Sequence, residues 1–118
     1  MTARVTRGAA APEYFPPLHE GVEAKRLHGH EAGPTMTFWV GESLYHPGAR
    51  AQSSPAPAET VYYVLDGELT LAVEGQDDQV LGPGDSAHLS AGTTRALANA
   101  TGSTARLLVV IAHPDPER

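Results

Sequence analysis

The side chains best suited to chemistry in this chain are a few histidines, tyrosines and carboxylates. His88 stands in Gly84-Asp85-Ser86-Ala87-His88-Leu89. In a strand, alternation puts Ser86 and His88 on one face and Ala87 and Leu89 on the other. The apolar pair reads as the packing face, which leaves Ser86 and His88 for a cavity. A neutral imidazole there would move protons near neutral pH. The bland reading is a histidine held by a hydroxyl or carbonyl. Tyr62 shares the parity of Thr60 and Val64, opposite Val61, Tyr63 and Leu65, so it is expected on the inner face of its strand. Its hydroxyl could serve an oxyanion, and its ring could stack on a ligand. Phe38 and Trp39 face opposite ways, so one of them lines the interior. Glu59 would act as acid or base only if a bulge turned it inward.

The remaining candidates are weaker. His28, His30 and Glu31 in Leu27-His28-Gly29-His30-Glu31 mimic a metal-binding His-x-His with an acid, but the glycine between them suggests a surface turn. His46, before Pro47-Gly48, reads as a rim residue. His19 and His113 fall near the chain ends. Ser43 and Ser53 have no base at a recognisable spacing, so no nucleophilic triad is visible.

Strands must position these groups. Residues 60–75, Thr-Val-Tyr-Tyr-Val-Leu-Asp-Gly-Glu-Leu-Thr-Leu-Ala-Val-Glu-Gly, carry two β-rich runs about Asp66-Gly67, which predicts a hairpin. Residues 35–46 mix Thr, Phe, Trp, Val and Tyr, residues that favour a pleated, half-buried surface. Residues 21–33 are polar and suit a short edge strand. Residues 47–59 read as a loop, with three prolines. The final Ala105–Ala112 run reads as a buried strand. Turn residues recur through the chain and no helical stripe appears, so an all-β sandwich or barrel is expected.

Bulk properties narrow the classes. A chain of 118 residues suits one domain with its own core. Residues 1–17, rich in Ala and Pro, are expected to form a mobile or partner-ordered arm on a domain at 18–118. With no cysteine, disulfides and thiolate metal sites are excluded. A net charge of −6 argues against nucleic acid and anionic membrane surfaces as partners. No long apolar run and no apolar leader core are visible, and a cytoplasmic protein is expected.

Glycines and an asparagine then carry a resemblance. Gly48 and Gly67 have the spacing of the first cupin motif, and Gly84, Gly92 and Asn99 that of the second. Over residues 35–112 the chain resembles the cupin family, which implies an antiparallel jelly-roll barrel. The resemblance also implies a metal site, and here the residues depart from the pattern. The two first-motif histidines fall on Ser54 and Ala56, the glutamate on Thr60 and the second-motif histidine on Arg95. The motif's Pro is Ser90.

A divalent metal needs three or four converging N or O donors. Ala56 offers none, Ser54 and Thr60 are weak neutral donors, and Arg95 is a cation that cannot ligate. No metal or other cofactor is therefore expected. Arg95 would attract a carboxylate, phosphate or enolate instead. The alternative is an internal pair with Glu59 or Asp85. The first expectation is thus a metal-independent cupin enzyme of isomerase, epimerase or cyclase type, acting on a small anionic or enolisable substrate. His88 and Arg95 would be catalytic, with Tyr62, Ser54, Thr60, Trp39 and Glu59 about the ligand. A non-catalytic small-molecule binder is the second expectation. A metal-dependent oxygenase or hydrolase with displaced ligands is the third. Family resemblance also implies a homodimer, with Val61, Tyr63 and Leu65 as an apolar outer row.

Overall fold

The computed structural model describes residues 2–113; the ends of both expected spans, Met1 and 114–118, lie outside the described residues. Nine strands follow one another: β1 Glu13–Tyr14, β2 His19–His28, β3 Phe38–Pro55, β4 Thr60–Asp66, β5 Leu69–Val73, β6 Gln79–Leu81, β7 Ser86–Leu89, β8 Thr94–Ala98 and β9 Ala105–Ala112. Short 3₁₀ turns occupy Gly8–Ala10 and His30–Ala32. No helix among the described residues is long and apolar enough to cross a membrane.

All strand pairs are antiparallel, in the order β6-β5-β8-β3-β9-β4-β7, with β2 added on β3 and β1 on β2. This path curls into a nearly closed jelly-roll barrel, the all-β class that the turn spacing predicts. Its pivot is β3, whose first half pairs with β9 and whose second half pairs with β8. The strand turns the corner at Pro47-Gly48, where Gly48 adopts φ 80°. The partner strand answers with a register shift between Glu20 and Val22, as a bulge does when a sheet bends.

Two local expectations change. Residues 47–55, expected as loop, continue β3, because their backbone groups pair with β2 and β8 despite the prolines. Asp66-Gly67 does not close a hairpin: β4 pairs with β7 and β9, and β5 with β6 and β8. The turn instead carries the chain between sheets. Gly67 is required there by packing, since a Cβ would lie 2.7 Å from the Ala105 Cα, at a φ of 76°.

The core gathers the inward residues of β3, β4, β5, β8 and β9, among them Tyr45, Val64, Leu69, Leu97 and Leu107. Full burial of each aliphatic side chain contributes about 1.5–3 kcal/mol. Asn99 anchors this end. Its amide donates to the carbonyls of Tyr45 at 2.8 Å and Ser103 at 2.7 Å, and its Oδ1 accepts from the Thr101 N–H and hydroxyl. Every hydrogen-bonding group of a buried amide is thereby used.

Residues 2–17 lie along this barrel. Strand β1 pairs with β2, Ala11 is buried, and Arg4 donates to the carbonyls of Gly33 and Pro34.

Candidate functional site

The aliphatic core does not fill the barrel. Between it and the segment Tyr14–His19 lies a cavity of about 320 Å³. Four sequence-predicted residues line it: Trp39, Ser54, Tyr62 and Arg95. Strand parity explains the arrangement. Trp39, Ser43 and Tyr45 occupy alternate inward positions of β3, and Tyr62 occupies one on β4. Trp39 is buried while Phe38 is exposed. Gly41, between Trp39 and Ser43, makes room for the indole, since a Cβ there would lie 2.9 Å from the ring.

Arg95 is the centre of the site. It sits on β8 opposite Ser54, and only 9% of it is exposed. No carboxylate among the described residues pairs with it, so neither Glu59 nor Asp85 serves as its counter-ion. Its Nε donates to the Tyr62 hydroxyl at 2.9 Å, and Nη1 donates to the Ser54 Oγ at 2.7 Å and carbonyl at 3.2 Å. Both hydroxyls accept from the guanidinium, so each keeps its own proton free to donate elsewhere. A permanent cation and two such hydroxyls make one donor-rich corner. Burial holds the Tyr62 phenol above its ordinary range, though Arg95 opposes the shift. Burial likewise raises Tyr45 and Tyr14. The phenols therefore stay protonated donors at neutral pH.

The cavity wall includes residues that the sequence did not single out for it. His19, at the start of β2, is one. Its Nδ1 lies 2.7 Å from the Pro17 carbonyl. A carbonyl only accepts, so Nδ1 carries the proton and Nε2 is left as acceptor. Burial, with Arg95 adding to it, lowers the imidazole's proton affinity against the opposing pull of that carbonyl. Arg26, Tyr14 and Tyr45 are the others. Tyr45 and Ser43 were legible from the parity of Trp39, but His19 precedes any periodic segment and carries no local signal.

Four expected residues lie elsewhere. Thr60 is buried, but its hydroxyl donates to the Ala58 carbonyl at 2.9 Å and it does not line the cavity. His88 and Ser86 do not face the cavity. Strand β7 pairs with β4 so that His88 stands opposite Val61, on the outer face, and Ala87 opposite Tyr62, on the inner. His88 and Arg95 are therefore not brought together. Glu59 also lies outside, its carboxylate 2.6 Å from the His88 Nε2, and both side chains are exposed. His88 borders a separate depression near the β6 and β7 edges, with Gln76 and Gln79.

A metal ion does not fit the corner. The positions that would hold it carry Ser54, Ala56, Thr60 and Arg95. The Arg95 guanidinium already uses the Ser54 hydroxyl, and no group of three His, Asp or Glu with metal-binding geometry exists among the described residues. His30 makes edge-to-face contacts with Trp39 and His113, while His46 pairs with Glu23 at 3.1 Å. His28 sits within β2 opposite Val40.

Such a barrel, with a pocket between its core and the Tyr14–His19 segment, defines the jelly-roll β-barrel class. More narrowly, the chain belongs to the cupin family, whose domain model matches residues 41–111. It is 49% identical over 114 residues to a Mycobacterium tuberculosis protein named a beta-D-galactosidase, covering 97% of both chains. Among solved structures it resembles a polyketide cyclase from Streptomyces resistomycificus, with a TM-score of 0.81 and 23% identity, over 98% of this chain and 82% of that one. It also resembles a cupin-superfamily sugar phosphate isomerase from Silicibacter pomeroyi, with a TM-score of 0.70 and 28% identity, over 80% of this chain and 60% of that one.

Proposed function

We propose that this cupin is an enzyme that binds a small anionic or enolisable organic substrate in the cavity and moves a proton on it without a metal ion. The reaction is an isomerisation, epimerisation or cyclisation. The carrying observation is the Arg95 guanidinium, buried with neutral hydroxyls and no carboxylate about it. A buried cation without a counter-ion is costly unless an anion meets it. In this reading Arg95 and the free protons of Tyr62 and Ser54 stabilise the oxyanion of an enolate. His19 takes the proton that His88 was expected to take, since its neutral form exposes Nε2 as a base. Trp39 and Tyr14 form apolar walls for the ligand's carbon frame.

A second reading is hydrolysis of β-D-galactosides, favoured by the 49% identity to a protein of that name. It shares a sugar-like substrate with the isomerase relative. Most glycosidases use two carboxylates about 5–10 Å apart. No Asp or Glu among the described residues lines this cavity, so Tyr62 and His19 would have to replace the pair.

One set of measurements separates these readings. Proton NMR in D₂O follows deuterium exchange into β-dicarbonyl compounds and sugar phosphates. Release of p-nitrophenol follows cleavage of its β-D-galactoside. Exchange that is lost in Arg95→Gln and His19→Asn supports the first reading. Galactoside cleavage without exchange supports the second. Ligand binding with neither activity would identify a non-catalytic binding protein.

A further inference from the structure

The same cavity holds a second guanidinium that the proposed chemistry does not use. Arg26, on β2, lines it with only 15% of its side chain exposed. Its Cζ lies 3.7 Å from the Tyr14 ring centroid and 4.2 Å from that of Trp39. The two rings stand at 87° to each other, so the guanidinium is seated in the corner between them. Stacking on ring faces holds an arginine plane in place and leaves its N–H edge available. Here the edge makes no side-chain hydrogen bond among the described residues. Nε is buried with no hydrogen-bond partner. The ion-pair partner of Arg26 is Glu31, 3.5 Å from Nε, a long contact without a hydrogen bond to a side chain that is half exposed and therefore well screened. It does not line the cavity.

Two like charges thus share one small, largely apolar space with no acid among the described residues of its lining, and only Arg26 has a carboxylate, the half-exposed Glu31, near it. Each raises the cost of the other unless negative charge enters from outside. Arg95 has a fixed role at the inner hydroxyl corner. Arg26 has a rigid fork matched to a planar, two-oxygen acceptor.

We infer that the ligand carries two anionic groups, a carboxylate that meets Arg26 between Tyr14 and Trp39 and a second oxyanion that meets Arg95. This rests on the reading of the cavity as an anion site and names its substrate class: a small organic diacid, or an acid whose second charge develops as an enolate. A neutral galactoside would leave Arg95 without a counter-ion and Arg26 with only the half-exposed Glu31, so the inference also weighs against that substrate.

The test is calorimetric titration of wild type, Arg26→Gln, Arg26→Lys and Arg95→Gln with diacids from malonate to adipate. Each diacid is compared with its own monomethyl ester, of similar size and one charge fewer. For the best-fitting diacid, wild type is expected to prefer the diacid over its ester by about tenfold or more, the worth of one charged hydrogen-bonded contact. Arg26→Gln should bring that ratio close to one while still binding the ester. Arg26→Lys keeps the charge but loses the fork, and should reduce the ratio at least about threefold; it decides the matter if Arg26→Gln does not fold. Ratios near one across the series in wild type, no binding of any diacid, or a preference unchanged in the Arg26 variants would overturn the inference. Loss of ester binding in Arg95→Gln would leave the anion-site reading standing even then. Unchanged binding of every compound in Arg95→Gln would remove that reading itself.

Discussion

Replacing Arg95 by Gln tests whether the guanidinium serves a ligand or the fold. The variant loses two short charge-assisted hydrogen bonds, to Tyr62 at 2.9 Å and Ser54 at 2.7 Å. At about 1.5–3 kcal/mol each, these amount to about 3–6 kcal/mol. Against that, it removes a charge buried without a carboxylate, whose desolvation costs several kcal/mol. The two effects oppose each other at similar size, and Gln retains some donor capacity. The empty variant should therefore differ from wild type by less than about 2 kcal/mol, or about 8 °C in Tm for a chain of this length. A bound anion at a hundredfold excess over its Kd stabilises wild type by about 2.7 kcal/mol, about 10 °C on the same scale. In Arg95→Gln that gain should vanish. Thermal shifts with carboxylates, phenolates and β-dicarbonyl compounds would measure both quantities. Equal ligand shifts in the two proteins would refute the anion site. A loss beyond about 4 kcal/mol in the empty variant would make Arg95 a structural tie.

Other outcomes follow from the same geometry. Burial lowers the folded-state proton affinity of His19, so the unfolded chain binds its proton first as pH falls. Its contribution to stability is then present above about pH 6.5 and declines below it; His19→Asn should flatten that part of a Tm-against-pH curve and remove the acidic limb of activity. Asn99→Ala should cost about 2–4 kcal/mol in urea unfolding, because it strands the Tyr45 and Ser103 carbonyls. Metal analysis of untagged protein after chelation should find no stoichiometric Zn, Fe, Mn or Ni; a tightly held ion would overturn the metal-free reading. Val61, Tyr63 and Leu65 are exposed along the outside of β4. A homodimer through this row is proposed, and Tyr63→Glu should shift light scattering from dimer to monomer mass at micromolar concentration; a wild type already monomeric there would refute it.

Much of the barrel is legible in the sequence because its signals are local. Alternation over Thr60, Tyr62 and Val64 marks an inner face, and the spacing of Gly48, Gly67, Gly84, Gly92 and Asn99 marks where the chain turns. What Ser54, Ala56, Thr60 and Arg95 could offer a metal is also read without a structure, since side-chain type decides which groups can ligate. Tertiary structure decided the rest. Alternation separates Ser86 and His88 from Ala87 and Leu89, but which pair turns inward depends on the register against β4, which sets His88 opposite Val61, distant in the chain. Asp66-Gly67 has hairpin composition, yet its flanking runs find better partners in β9 and β8. His19 and Arg26 reach the cavity only because β2 lies against β3 and Tyr14 packs on Trp39. A sequence states the faces a strand has and the groups it carries; the burial of one face against distant strands chooses which groups meet, because that choice is made by packing free energy summed over the whole barrel.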